Sequence, residues 1–189
     1  TPPSSQAAFL ATTGLKYGLS FNMDTDYPKI YATDTVYKES PWSYMTPPDE
    51  TNLSGLKNRG AKLLVYHGSA DPVFSTADTS KWYDALQTVN AGAAGDFARY
   101  FMVPGMNHCS GGPSTDQFDM LTQLVNWVEK AQAPEQVIAK ARGAGANIVN
   151  TEVPSNWGAA RSRPLCAYPK VARYNGSGSV EDAANFSCK

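Results

Sequence analysis

The sequence predicts an α/β protein with parallel strands, and three observations carry that prediction. Two short apolar runs, residues 62–67 (Lys-Leu-Leu-Val-Tyr-His) and residues 97–103, are each closed by glycine, at Gly68 and at Pro104-Gly105. Neither run alternates cleanly, which is the pattern of a strand buried on both faces. A helical pattern follows each run. Residues 75–89 carry Trp82, Tyr83 and Leu86 on one face, and residues 118–131 carry Leu121, Leu124, Val125 and Val128 at helical spacing. Strand, helix, strand, helix is the order of an α/β layer.

The other elements follow in chain order. Residues 5–17 read as a short helix through Ala7, Leu10 and Leu15. Residues 18–50, rich in Tyr, Asp, Thr and Pro, have no steady period and read as irregular structure packed on something else. Thr51 or Asn52 is expected to cap a short helix through Leu53 and Leu56, ending near Gly60. Residues 134–141 read as a further helix. Beyond Gly143 the chain is expected to be irregular, ending in a segment that holds Cys166 and Cys188. The division is thus residues 1–50, irregular, and residues 51–189, the α/β domain. Two clear strands are too few for an independent doubly wound sheet, so part of the fold is expected outside this chain. The start at Thr1-Pro2-Pro3, without an initiator Met or a signal-peptide pattern, reads the same way.

Composition excludes several classes. The 189 residues are 42% hydrophobic, enough for one domain with a core. No apolar run approaches the roughly 20 residues of a membrane helix. A net charge of -1 with no basic block gives neither nucleic acid nor an anionic membrane a footprint. Three cysteines, an odd number, imply an intermolecular bond or a free thiol if the protein is secreted. Sequons at Asn52, Asn175 and Asn185 agree with a secreted or periplasmic location.

Chemistry is expected at the carboxyl ends of the strands. The first ends in Tyr66-His67-Gly68-Ser69-Ala70-Asp71-Pro72-Val73-Phe74, the second in Met102-Val103-Pro104-Gly105-Met106-Asn107-His108-Cys109. An acid after one strand and a histidine after the next match the last two places of the order nucleophile, acid, histidine in α/β-hydrolases. A serine hydroxyl needs a base to take its proton, and neutral imidazole serves near pH 7. A carboxylate fixes the imidazole tautomer and stabilises the imidazolium. The chain has two histidines, so the base is His108 or His67, with His108 favoured because His67 sits at a strand end, where a histidine often only hydrogen-bonds a loop. Pro72 biases Asp71 away from helix, and on spacing alone Asp71 is equally a turn-former. Asp78, Asp84, Asp116 and Asp119 lie in or beside helices and read as solvated. No Gly-x-Ser-x-Gly segment occurs, so the nucleophile is not found. Ser110 lacks a strand-turn-helix setting, and Cys109 is the immediate neighbour of His108, from which its thiol diverges.

These two segments, together with Arg163-Pro164-Leu165-Cys166 and Val171-Ala172-Arg173-Tyr174, closely resemble the tannase and feruloyl esterase family, over about residues 26–188. The resemblance implies an α/β-hydrolase fold in which this chain supplies the C-terminal strands and helices with the acid and histidine loops. It implies Asp71 as acid, His108 as base and Phe74 as a wall of the substrate pocket, although Phe74 as ordinary core stays open. The family bridges a cysteine beside the catalytic serine to one beside the histidine. By resemblance Cys109 is the second half of that bridge, its partner lying on an N-terminal chain that carries the serine. Cys166 and Cys188 are left to close a local loop. Residues 1–50 would then return from the family's lid insertion, and any calcium would belong to the lid region outside this chain. No cofactor and no metal are expected from the residues here. The implied activity is hydrolysis of small aromatic esters. An inactive binding module of the same fold, or an α/β-hydrolase peptidase, would carry the same Asp71 and His108.

Overall fold

The computed structural model describes residues 14–189, and its contacts divide at residue 50 into two compact units. Of the helix expected over residues 5–17, residues 5–13 lie outside the described residues. Helix α1 (Gly14–Ser20) covers the remainder and runs past the expected end.

Among the described residues of the first unit, short capped turns predominate. Asn22 Oδ1 accepts from the N–H groups of Asp24 and Thr25, and Asp34 Oδ1 from those of Val36 and Tyr37. Such Asx turns satisfy backbone donors without a regular ladder. A 3-10 turn spans Tyr27–Tyr31, and helix α2 (Pro41–Met45) starts on Ser40, whose Oγ accepts from the Ser43 N–H at 3.1 Å. The Tyr31 ring lies between those of Tyr27 and Trp42, with centroids 5.4 and 5.3 Å away.

The second unit begins with helix α3 (Ser54–Asn58), before which Asn52 Oδ1 accepts from the Ser54 N–H. Strand β1 (Leu63–Gly68) and strand β2 (Ala98–Val103) form a parallel pair, with His67 opposite Met102 and Gly68 opposite Val103. Helix α4 (Thr76–Val89) joins them, starting on Ser75, whose Oγ accepts from the Ala77 N–H at 3.2 Å. Strand β2 is buried on both faces. Ala98 and Tyr100 pack with Tyr83, Leu86, Ala94 and Phe97 on one side. Phe101 and Val103 pack with Met106, Val137, Ala139 and Leu165 on the other. Period two along β2 thus feeds two clusters at once.

Helix α5 (Met120–Lys130) is capped by Asp119, whose Oδ1 accepts from the Thr122 N–H, and ends at Ala131 in the left-handed region (φ 56°). Its buried residue is Trp127, whereas Leu121, Val125 and Val128 of the expected apolar face are exposed.

The helix expected over residues 134–141 is instead strand β3 (Gln136–Lys140). Val137 and Ala139 are 3% and 0% exposed while Gln136, Ile138 and Lys140 face solvent. That alternation buries an amphipathic strand and would scatter the same residues round a helix. The partner, β4 (Ser162–Cys166), is antiparallel, with Gln136 opposite Cys166. Beyond β4, Ala167 bridges Phe101 and the Tyr168 N–H donates to the Tyr100 carbonyl at 2.8 Å, tying this hairpin to β2. Strands β5 (Ala172–Tyr174) and β6 (Phe186–Cys188) form a third small pair, so the tail is more regular than expected. Cys166 and Cys188 are joined in a disulfide.

Candidate active site

Two loops leave the carboxyl ends of the parallel pair and hold each other before any side-chain chemistry is considered. The Ser69 N–H donates to the Val103 carbonyl, the Ala70 N–H to the Met106 carbonyl, and the Gly105 N–H to Ser69 Oγ at 2.8 Å. Gly68 is required at their closest approach: a Cβ there would lie 2.2 Å from the Met106 carbonyl oxygen. Met106, fully buried, anchors the second loop in the core two residues before the histidine.

On the first loop Pro72 follows Asp71, and the chain turns so that Asp71 Oδ1 accepts from the N–H groups of Val73 (2.8 Å) and Phe74 (3.1 Å). Its Oδ2 accepts from His108 Nδ1 at 2.8 Å. The Asp71 side chain is 3% exposed and that of His108 is 47% exposed. Burial alone would raise the Asp71 carboxyl pKa. The hydrogen bonds from His108 and from the Phe74 and Val73 amides outweigh it and hold the group well below the usual carboxylate range. An ionised carboxylate only accepts. His108 therefore carries a proton on Nδ1, and its Nε2 points away from the carboxylate.

His67, the other candidate base, is engaged at both ring nitrogens. Nε2 lies 3.2 Å from Asp71 Oδ2 and Nδ1 lies 2.8 Å from Thr79 Oγ1, on the first turn of α4. It stands behind the carboxylate with both ring nitrogens already partnered. Phe74 is 58% exposed in this chain, its ring centroid 5.5 Å from that of His108. Cys109 is an exposed free thiol in the left-handed region (φ 67°). An open cleft of about 430 Å³ runs between Tyr66, Asp71, Phe74, Asp78, His108 and Cys109. A larger cleft, about 620 Å³, lies within the first unit around Lys29, Tyr37 and Tyr44, and no histidine or cysteine lines it.

The loop after His108 is clamped by side chains from far along the sequence. Asp116, expected to be solvated, has a side chain 0% exposed and paired with Arg142. Burial would raise its pKa; the Arg142 guanidinium and the Gly111 N–H more than offset that and lower it. The Gly111 N–H donates to Asp116 Oδ2 at 2.8 Å and the Gly112 N–H to Glu152 Oε2 at 2.7 Å. Asn150 Nδ2 donates to the Gly112 carbonyl, also at 2.8 Å. Thr79, Arg142 and Glu152 carry no local signal in the sequence, and Asp116 reads there as solvated, because His67, Asp116, Gly112 and Arg142, which respectively place them, lie more than ten positions away. Among the described residues no group of three or more His, Cys, Asp or Glu side chains is placed to hold a metal ion. No described helix is long and apolar enough to cross a membrane.

A paired carboxylate and imidazole at adjacent parallel strand ends matches the arrangement that the acid and base of a hydrolytic triad require. Residues 12–189 match the family model described as tannase and feruloyl esterase, and the chain belongs to that family. It is 47% identical over 173 residues to the mono(2-hydroxyethyl) terephthalate hydrolase of Piscinibacter sakaiensis, an alignment covering 90% of this chain and 26% of that enzyme. The crystal structure of an esterase from Aspergillus oryzae is similar, with a TM-score of 0.61 and 26% identity over 74% of this chain and 29% of that one. The crystal structure of feruloyl esterase B from the same organism gives a TM-score of 0.59 and 28% identity over the same shares, 74% and 29%. The chain thus spans about a quarter to a third of the length of the relatives it matches.

Proposed function

We propose that this chain is the acid-and-base portion of a serine-type carboxylic ester hydrolase. Its substrates are esters of aromatic acids of the feruloyl, galloyl or terephthalate kind, cleaved through an acyl-enzyme. The observation that carries the reading is the 2.8 Å contact between Asp71 Oδ2 and His108 Nδ1, which leaves Nε2 directed away from the acid. Family membership and the names of the relatives support the ester class.

The nucleophile is a serine on an N-terminal polypeptide joined to this one through Cys109. Support for the bridge is indirect: Cys166 and Cys188 are already paired, and Cys109 beside the base is free and exposed. The serine Oγ attacks the ester carbonyl carbon as His108 Nε2 takes its proton. The tetrahedral intermediate collapses, and the alcohol leaves with that proton. Water, deprotonated by the same imidazole, then releases the aromatic acid. Asp71 holds His108 in the Nδ1–H tautomer throughout, and Phe74 beside the imidazole is a wall for the substrate ring. Backbone amides near the serine hold the oxyanion. The Cys166–Cys188 bond supports an oxidising compartment, secreted or periplasmic.

The test is intact mass with and without reductant, paired with hydrolysis of a feruloyl or terephthalate monoester. Reduction should release this chain and a second one in which a cysteine adjoins a serine. The unreduced protein should hydrolyse the ester, and His108→Ala should lose about 10³-fold or more of kcat. This chain running alone with Cys109 titrating as a free thiol would sink the bridge. A bridged protein inert to esters is a binding module, and one that prefers amides is a peptidase.

A further inference from the structure

His67 is the titratable group that the proposed chemistry does not use, and it is placed too specifically to be filler. It lies in β1, where pairing with Met102 fixes its backbone. Its ring spans Asp71 and Thr79, and its side chain is 14% exposed. We propose that His67 and Thr79 are positioning residues for the catalytic acid: the Thr79 hydroxyl fixes the His67 tautomer, and His67 Nε2–H locks the Asp71 carboxylate against rotation. The inference rests on the esterase reading above.

The argument is a count of donors and lone pairs. Asp71 accepts N–H groups from Val73 and Phe74 on Oδ1 and from His108 and His67 on Oδ2. Four donors fill the acceptor sites of an ionised carboxylate. In this arrangement His67 must be protonated at Nε2, since an unprotonated Nε2 would point a lone pair at the carboxylate. Neutral His67 then offers a lone pair at Nδ1, and Thr79 Oγ1, 2.8 Å away, donates to it. The chain of donors runs in one direction, from Thr79 to His67 to Asp71.

The consequence bears on the base. As His108 gains a proton its Nδ1–H bond to Oδ2 must strengthen, and a carboxylate free to rotate about its Cβ–Cγ bond would move that oxygen. The two amides fix one oxygen, and the His67 N–H fixes the direction of the other. His67 and Thr79 also line the cleft beside Asp71, but the lock acts through the carboxylate on the base, so its loss should fall on kcat more than on KM.

The test uses the assembled enzyme and two paired substitutions. Thr79→Val keeps the shape and removes the hydroxyl, while Thr79→Ser keeps the hydroxyl and removes the methyl. Thr79→Val should lower kcat on the order of 10-fold with KM unchanged, the lower end of what losing an outer positioning partner costs. Thr79→Ser should stay within about 2-fold of wild type, being able to make the same bond. His67→Phe should lower kcat by about 100-fold, the scale of a misplaced catalytic group. His67→Gln, with an amide N–H near the position of Nε2, should recover part of that loss.

A packing role for Thr79 predicts the reverse order, with Val active and Ser impaired, and that result overturns the proposal. So do Val and Ser variants that both match wild type. The imidazole ¹⁵N shifts of His67 give a readout free of turnover: Nε2–H in wild type, and loss of that single tautomer in Thr79→Val. If wild type fails to hydrolyse the ester or His108→Ala stays active, the esterase reading has failed. The ¹⁵N result then still decides the tautomer lock, and an Nδ1–H tautomer in wild type overturns it.

Discussion

Replacing Asp71 with Asn tests whether the carboxylate does more than fill space. Asn keeps the size and shape but offers one acceptor oxygen and one NH2. The native carboxylate takes two backbone N–H groups on one oxygen and two imidazole nitrogens on the other. With its NH2 toward Val73 and Phe74, two amides lose their acceptor at a site whose side chain is 3% exposed. Each unsatisfied buried donor costs about 1–3 kcal/mol. With the NH2 toward the imidazoles, His108 must turn an Nδ1 lone pair to it and carry its proton on Nε2. The nitrogen facing the nucleophile then cannot accept a proton. The second orientation costs less backbone energy and should dominate. The expected outcome is a kcat lower by about 10³- to 10⁴-fold, or roughly 4–5.5 kcal/mol of barrier, with KM nearly unchanged. Steady-state kinetics on a feruloyl or terephthalate monoester measures this in the assembled enzyme, alongside melting by calorimetry. A folded Asp71→Asn enzyme whose kcat stays within about 10-fold of wild type would refute the reasoning.

Two further outcomes follow from contacts away from the base. The Cys166–Cys188 bond spans a sequence separation of 22, a loop whose closure is worth about 3 kcal/mol in the chain-entropy view. Substituting both cysteines with alanine should lower the melting temperature by roughly 6–12 °C, at about 2–4 °C per kcal/mol, and an unchanged melting curve would contradict it. Asp71 and Asp116 both have carboxyl pKa values lowered in the folded chain. The unfolded chain therefore takes up these protons first. Their contribution to stability is present above about pH 4 and is lost as the pH falls below it. Denaturant midpoints measured against pH should decline there, and less steeply in Asp71→Asn. A midpoint that rises on acidification would reverse the sign.

The parts of the fold legible in the sequence are those whose cause is local. The runs before Gly68 and Pro104 are continuous and apolar, and the helix over residues 76–89 starts at a serine that caps it. Where the cause is distant, reading fails. Gln136-Val137-Ile138-Ala139-Lys140 alternates only in burial, since Ile138 is apolar yet exposed, and without the partner at residues 162–166 the residues themselves show no strand period. The α5 stripe of Leu121, Val125 and Val128 is real as periodicity, yet Trp127 is the residue this chain buries. Asp116 looks like a solvated loop carboxylate until Arg142, 26 positions on, comes to pair with it. The acid and histidine loops stood out because strand ends are where α/β sheets place chemistry. The bond from Thr79 to His67 had no such marker: Thr79 is one of several hydroxyls in a helix start.

The pairing of Asp71 with His108 is held by contacts of this chain itself. The contacts that orient Asp71 and His108 all arise within residues 67–152, from the β1–β2 pair, the two loops, the first turn of α4 and the Asp116–Arg142 and Glu152 clamps. Gly68 lets the loops touch, so neither moves without displacing the other. The acid–base geometry is therefore a property of this chain alone. On the proposed function, a serine borne on a second polypeptide need only be delivered to Nε2 at the correct distance. A covalent tether at the residue after the base does that, because it converts an encounter between chains into a local closure. Cys109, with its left-handed backbone and exposed free thiol, is open to such a tether.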